Sequence, residues 1–249
     1  MPGTTVDVTT ADGVADAYLA RPDGEGPFPA VLFYMDAFGL RPHLTAMADR
    51  LAASGYVVLV PNVFYRAGRT PLFDLPDFID AASRPSLFEK IIPVMQSLTL
   101  AGLMSDANAY LRYLADSPLT VDGPVGITGY CMGAGIALRT AGTYPHRVAA
   151  AAGFHAANLA SEAPDSPHLV AGSVTAELYF AHADQDAAMP VEQIERLEKA
   201  LTAAGVTHRC EVYEGAHHGY TQSDTSAYNA EAAERHWTEL LALFSRTLS

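Results

Sequence analysis

The stretch Val125-Gly126-Ile127-Thr128-Gly129-Tyr130-Cys131-Met132-Gly133-Ala134-Gly135 decides how this chain is read. A short apolar, β-prone run enters Gly129-Tyr130-Cys131-Met132-Gly133, and a helix rich in small residues (Ala134, Ile136, Ala137, Leu138) leaves it. The spacing predicts strand, tight turn, helix, with a thiol at the apex. A side chain displayed at such an apex stands on strained backbone, so the residues two before and two after it must let strand and helix approach. Here those are Gly129 and Gly133. A helix beginning just after Cys131 aims unpaired N–H groups and the positive end of its dipole at the sulfur, which favours thiolate over thiol. Cys131 is therefore expected to be reactive. The bland alternative is a small Cys filling a Gly-rich turn.

Working outward toward the N-terminus, Val6-Asp7-Val8 and Ala15 to Ala20 read as two edge strands joined at Ala11-Asp12-Gly13. Ala30 to Tyr34 and Tyr56 to Val60 are apolar runs suited to strands buried on both faces, with helical spacing from Arg41 to Ser54 between them. Residues 61–85 carry several prolines and aromatics without periodicity and read as a long excursion, a kind of connection that tends to be functional. Two helical patterns follow, Ser86 to Leu98 and Gly102 to Leu114, the second packing through Leu103, Leu111 and Leu114. Toward the C-terminus, strands are expected at Val148 to Gly153, Glu177 to His182 and His208 to Tyr213. Helices are expected at Pro190 to Ala204 and from about Thr225 to Leu248. Strands alternating with helices imply an α/β fold, a mostly parallel sheet covered by helices on both faces. At 249 residues with 49% apolar content, one domain over 1–249 is expected.

A formal net charge of −13 and a sequence pI near 4.9 argue against nucleic acid and anionic membranes as partners. Met1-Pro2-Gly3-Thr4-Thr5-Val6-Asp7 has no basic region followed by an apolar stretch, and no apolar run approaches a bilayer span. With only Cys131 and Cys210, one of them wanted as a free thiol, a reducing cytoplasm fits best. His43, His146, His168, His208 and His236 show no metal-ligand spacing, and no phosphate loop is present, so neither metal nor cofactor is expected.

The strand ends beyond the elbow supply an acid and then a histidine. Asp184 and Asp186 are the acid candidates, with Asp186 preferred because Asp186-Ala187-Ala188-Met189-Pro190 sets it just before a helix. His217 and His218 are the base candidates, and His218 is favoured because Gly219 leaves the turn room to aim its ring. Asp36, in Tyr34-Met35-Asp36-Ala37-Phe38-Gly39, follows a buried strand and is a candidate for controlling a thiol proton; an ordinary loop carboxylate is the alternative.

Taken together these segments resemble the dienelactone hydrolase family, which has the α/β-hydrolase fold and the chain order nucleophile, acid, histidine. The matching motifs are Gly129 to Gly133, Asp36 to Gly39, Ala183 to Pro190 (Ala183 in place of a Gly) and Gly215 to Tyr220. The resemblance implies a catalytic set of Cys131, Asp186 and His218, with Asp36 where the family usually carries a Glu. It also implies an oxyanion hole from the N–H groups of Ala37 and Met132. Phe38 and His155 are expected at the substrate. Gln222 stands where the family carries a substrate-binding arginine, and Arg66 and Arg69 are alternative carboxylate binders. The expected activity is cysteine-dependent hydrolysis of an ester or lactone through a thioester, by a cofactor-free monomer or homodimer. The rivals are a catalytically silent small-molecule-binding protein on the same fold and a redox-active thiol protein.

Overall fold

The protein is described from a computed structural model covering residues 3–248. Met1 and Pro2, on which the reading of the N-terminus partly rests, lie outside the described residues, as does Ser249. The chain divides into two compact units, one running up to Gly123 and including Asp224–Ser226, the other comprising Pro124–Ser223 and the chain from Ala227.

The first unit holds β1 (Thr4–Thr10), β2 (Gly13–Ala20), β3 (Ala30–Tyr34), α1 (Pro42–Ala53), β4 (Val57–Pro61), α2 (Arg84–Ser97) and α3 (Leu100–Ala115). Its strands lie in the order β1-β2-β4-β3. Every residue of β3 (AVLFY) and β4 (VVLVP) is buried, as their unbroken apolar runs require, and the two pair in parallel. β2 differs from expectation. It is antiparallel to both β1 and β4, so only β1 is left half-exposed. α1 starts at a proline, whose fixed φ suits the first helical position, and buries Leu44, Met47 and Leu51. α3 is turned slightly from the expected face: Met104, Ala107, Leu111 and Leu114 are buried, whereas Leu103 is only half-buried.

One tie that holds the excursion after β4 runs through Asp16. Buried Asp16 accepts hydrogen bonds from Asn62 Nδ2 (3.0 Å) and the Thr70 backbone N–H (2.9 Å). Burial pushes that carboxyl up, but these donors outweigh it and hold it below the usual carboxylate range.

The second unit holds β5 (Val125–Tyr130), α4 (Met132–Thr143), β6 (Val148–Phe154), β7 (Glu177–Gln185), α5 (Val191–Ala203), β8 (His208–His217) and α6 (Ala230–Thr247). Its strands lie in the order β5-β6-β7-β8, all parallel. β7 and β8 each run further than expected because they pair with one another, Ala183 opposite Tyr213 and, past an irregularity, Gln185 opposite His217. α6 starts at Ala230 rather than near Thr225. Asn229 caps it by accepting from the Ala232 N–H (3.1 Å), while Thr225 bridges to Ile79. Counted over both units, eight strands are described, and the fold is a mostly parallel α/β sheet with helices. Among the described residues no single helix is long and apolar enough to cross a membrane.

Candidate active site

The elbow is built as strand, strained apex and helix. Cys131 has φ 54° and ψ −116°, a left-handed conformation that a non-glycine residue holds only under constraint from its surroundings. The constraint is visible at Gly129, where a Cβ would sit 2.2 Å from the Gly133 carbonyl oxygen, so no larger residue fits between β5 and α4. The Cys131 N–H donates to the Phe154 carbonyl at the end of β6 (3.1 Å), which pins the apex to the neighbouring strand. The sulfur stands at the start of α4, where the leading N–H groups, Met132 first, lack the i−4 acceptor of a helix interior.

The β7–β8 register carries the other two groups to the same place. With Gln185 opposite His217, the next residues along each strand, Asp186 and His218, become neighbours. Asp186 Oδ2 accepts from His218 Nδ1 at 2.7 Å, and His218 Nε2 lies 3.0 Å from Cys131 Sγ. Asp186 is itself held, its Oδ1 accepting the Ala188 N–H at 2.8 Å. The acid side chain is 2% exposed and the histidine 19%. Burial alone would push the His218 imidazolium down, but the adjacent sulfur and the Asp186 carboxylate outweigh it and raise the ring to about 10. His217 is exposed on β8, and Asp184 accepts the Gly215 N–H (3.1 Å), a link between strand ends. Gly219 has φ 97°, and a Cβ there would meet Gln222 Oε1 at 2.6 Å, so this turn needs glycine. Gln222 is buried.

His155 is fully buried, so it does not line an open pocket; it packs behind the His218 ring. His182 on β7 is also fully buried, and neither ring nitrogen has a hydrogen-bond partner among the described residues. Burial lowers it to about 4 despite the nearby Asp186 carboxylate, so it is neutral at ordinary pH.

In the first unit, Asp36 is almost fully buried, and Ala37 and Phe38 beside it are buried too. Its carboxylate accepts the Phe38 N–H (2.9 Å) and two hydrogen bonds from Arg41 Nη1 (2.8 and 3.0 Å). Arg41 in turn donates to Asp224 through Nε (2.6 Å) and Nη2 (3.2 Å). Desolvation works against the buried guanidinium, yet Asp36 and Asp224 outweigh it and hold Arg41 above its ordinary value. In the sequence Arg41 reads only as the start of a helical pattern, with no role at the site. The available signal was that a buried carboxylate needs a counter-charge, and Arg41 is the first cation after Asp36. Arg66, expected at the substrate, is committed elsewhere: it donates to Asp106 (2.6 and 3.0 Å) and Asp12 (2.6 Å) and lies over the Tyr65 ring. Arg69 pairs with Asp7. Arg84, also unforeseen, stands over the rings of Phe38 and Phe88. Among the described residues, no group of three or more His, Cys, Asp or Glu is arranged to hold a metal ion.

A strained strand–turn–helix apex, followed by an acid and a histidine on successive strand ends, defines an α/β-hydrolase. The comparisons narrow the class. The model of the dienelactone hydrolase family matches residues 15–248, and the chain belongs to that family. It is similar to a Synechocystis protein named "Putative carboxymethylenebutenolidase", 29% identical over 237 residues that cover 93% of this chain and 91% of the relative. An Escherichia coli K12 protein of the same name is 30% identical over 234 residues, covering 92% of this chain and 82% of the relative. A crystal structure from Klebsiella pneumoniae titled as a "Putative Dienelactone Hydrolase" shares the fold, with a TM-score of 0.84, 24% identity and 98% of both chains covered. The chain is thus a dienelactone hydrolase-like hydrolase.

Proposed function

We propose that the protein hydrolyses an ester or lactone by covalent catalysis at Cys131, through a thioester acyl-enzyme. The observation that carries this is the continuous chain Asp186–His218–Cys131, with contacts of 2.7 and 3.0 Å, ending at a sulfur on a strained apex at a helix N-terminus. In this reading the sulfur attacks the carbonyl carbon and the Met132 N–H helps hold the oxyanion. His218 gives its proton to the leaving oxygen. It then takes one from the water that attacks the thioester, while Asp186 holds its tautomer. The roles of Asp36, Ala37 and Phe38 rest on the family resemblance. The Arg41 pairing adds that Asp36 is one half of an ion pair.

The run of the family model through residues 15–248 supports taking the chain as one hydrolase domain. Both cysteines are free, which suits a reducing, cytoplasmic setting. Cys210 does not favour a redox reading, because burial and the nearby Glu198 push its thiol up to about 12. The test is hydrolysis of a panel of short p-nitrophenyl esters and unsaturated lactones by native protein and Cys131→Ala. Turnover of at least one member by the native protein, lost in the variant, supports the reading. Equal rates in the two would reject it.

A further inference from the structure

We propose that His155, through Thr221, is a positioning residue that fixes the plane of the His218 ring between Asp186 and Cys131. The inference rests on the catalytic reading above and goes beyond it, because neither residue touches the sulfur or the acid in the contacts described.

His155 is the first residue past β6, and it holds a left-handed backbone conformation, φ 37°. Such a conformation costs a non-glycine residue of order 1–3 kcal/mol and persists only where the surroundings over-determine it. The surroundings here are the three parts of the site. One residue earlier, the Phe154 carbonyl accepts the Cys131 N–H, so the end of β6 anchors the thiol. The His155 N–H donates to the Ala181 carbonyl of β7 (2.9 Å), the strand that leads to Asp186. Three residues later, the Asn158 N–H donates to the Ala188 carbonyl (2.8 Å), inside the loop that holds the acid. The histidine arm is secured by the side chain: His155 Nε2 lies 2.7 Å from Thr221 Oγ1, and both groups are buried.

Thr221 is three residues beyond His218. The bond therefore closes the turn that carries the imidazole, alongside the Tyr220 N–H to His217 carbonyl bond (3.1 Å). The two imidazoles then meet edge to face, centroids 5.4 Å apart at 68°, while Tyr220 packs on the His155 ring at 5.1 Å. An aromatic ring so placed resists rotation of its partner. His218 is thus located by Asp186 at one nitrogen, by the sulfur at the other and by His155 against the ring. Among the described residues of this unit, the titratable groups facing His218 are Cys131 on the elbow, Asp186 in the loop after β7 and His155 after β6, while the buried Tyr220 faces the His155 ring and His182 lies near Asp186.

The decisive variant is Thr221→Val, which keeps shape and removes the hydroxyl without touching the left-handed backbone. His155→Asn is its partner, because asparagine tolerates that conformation and lacks the ring. Expected for both is a kcat about 10- to 100-fold lower with KM within about twofold, since an acid–base group held loosely loses transition-state geometry before binding. The alkaline limb of the kcat/KM profile, which follows the His218 proton, should move to lower pH, and Thr221→Ser should restore both. Should circular dichroism show Thr221→Val unfolded, Thr221→Ala is read in its place. Native kcat and a native alkaline limb in both variants, even with a lowered Tm, would overturn the proposal. Cys131→Ala is measured in parallel. Its inactivity beside native-like Thr221→Val rejects the positioning role alone, whereas its retained turnover rejects the nucleophile.

Discussion

Two three-membered polar networks can be set side by side. In the second unit, Asp186, His218 and Cys131 form a chain whose last member is only partly buried. In the first unit, Arg41 is clamped between Asp36 and Asp224, with both carboxylates on one guanidinium. The first network is open, because it ends on a partly buried sulfur, a weak hydrogen-bond partner. The second is closed: a strong donor fork is spent on its two acids. The difference teaches where chemistry is possible. A network with a reactive, accessible end can pass a proton to something outside it, whereas a saturated one fixes geometry and holds charge.

If that contrast is right, cutting the two networks should do different things. Removing the middle or far member of the open chain should abolish most turnover and leave the fold intact. His218→Ala and Asp186→Asn should each lower kcat by roughly 10²–10⁴-fold, while His217→Ala and Asp184→Asn should cost tenfold or less. Steady-state kinetics on one activated ester decides it. A reversed order within either pair would move the site by a residue.

Cutting the closed network should be felt in stability. Arg41→Leu leaves a buried carboxylate without its counter-charge and should cost about 3–5 kcal/mol in urea unfolding. Arg41→Lys should also be destabilising, because a lysine cannot reproduce the fork between two acids. Asp224→Asn removes a partner that is 19% exposed and should cost less, about 1 kcal/mol. Equal, small effects from all three would mean that the network is not closed in solution.

A pH-dependent effect is expected beside the open chain. His182 is lowered to about 4 in the folded protein against 6.5 when unfolded, chiefly by burial. The unfolded state therefore binds the proton first. Stability is unaffected above about pH 6.5, falls as pH drops through the window from 6.5 to 4, and levels off below it. The full effect is on the order of 3 kcal/mol. Tm measured from pH 7.5 to 4.5 should fall less steeply in His182→Phe than in the native protein. Parallel curves would show that this histidine does not titrate late.

The legibility of the molecule in its sequence follows the range of the interactions. The elbow could be read because its physics is local, a glycine two residues on either side of the apex where strand and helix nearly touch. The buried strands β3 and β4 could be read because burial on both faces leaves an unbroken apolar run. The extra length of β7 and β8 could not. Ala183 to Gln185 and Tyr213 to His217 are mixed or polar stretches that become strand only by pairing with one another. The same applies at the site. Asp186 and His218 were preferred from turn chemistry within a few residues of each, but Arg41, Asp224 and Thr221 matter through contacts that only folding creates. The expectation for His155 identified a neighbour of the site and misjudged its exposure, since an aromatic after a strand can face a pocket or the back of another ring.

The claim that turnover passes through a thioester on Cys131 is tested most directly by acid-quenched mass spectrometry during hydrolysis of an activated ester. The account predicts a protein heavier by the mass of the acyl group, with the adduct on the peptide containing Cys131. It should be released by neutral hydroxylamine and absent in Cys131→Ala. Turnover by Cys131→Ala at the native rate, or an acyl adduct on any residue other than Cys131, would contradict it.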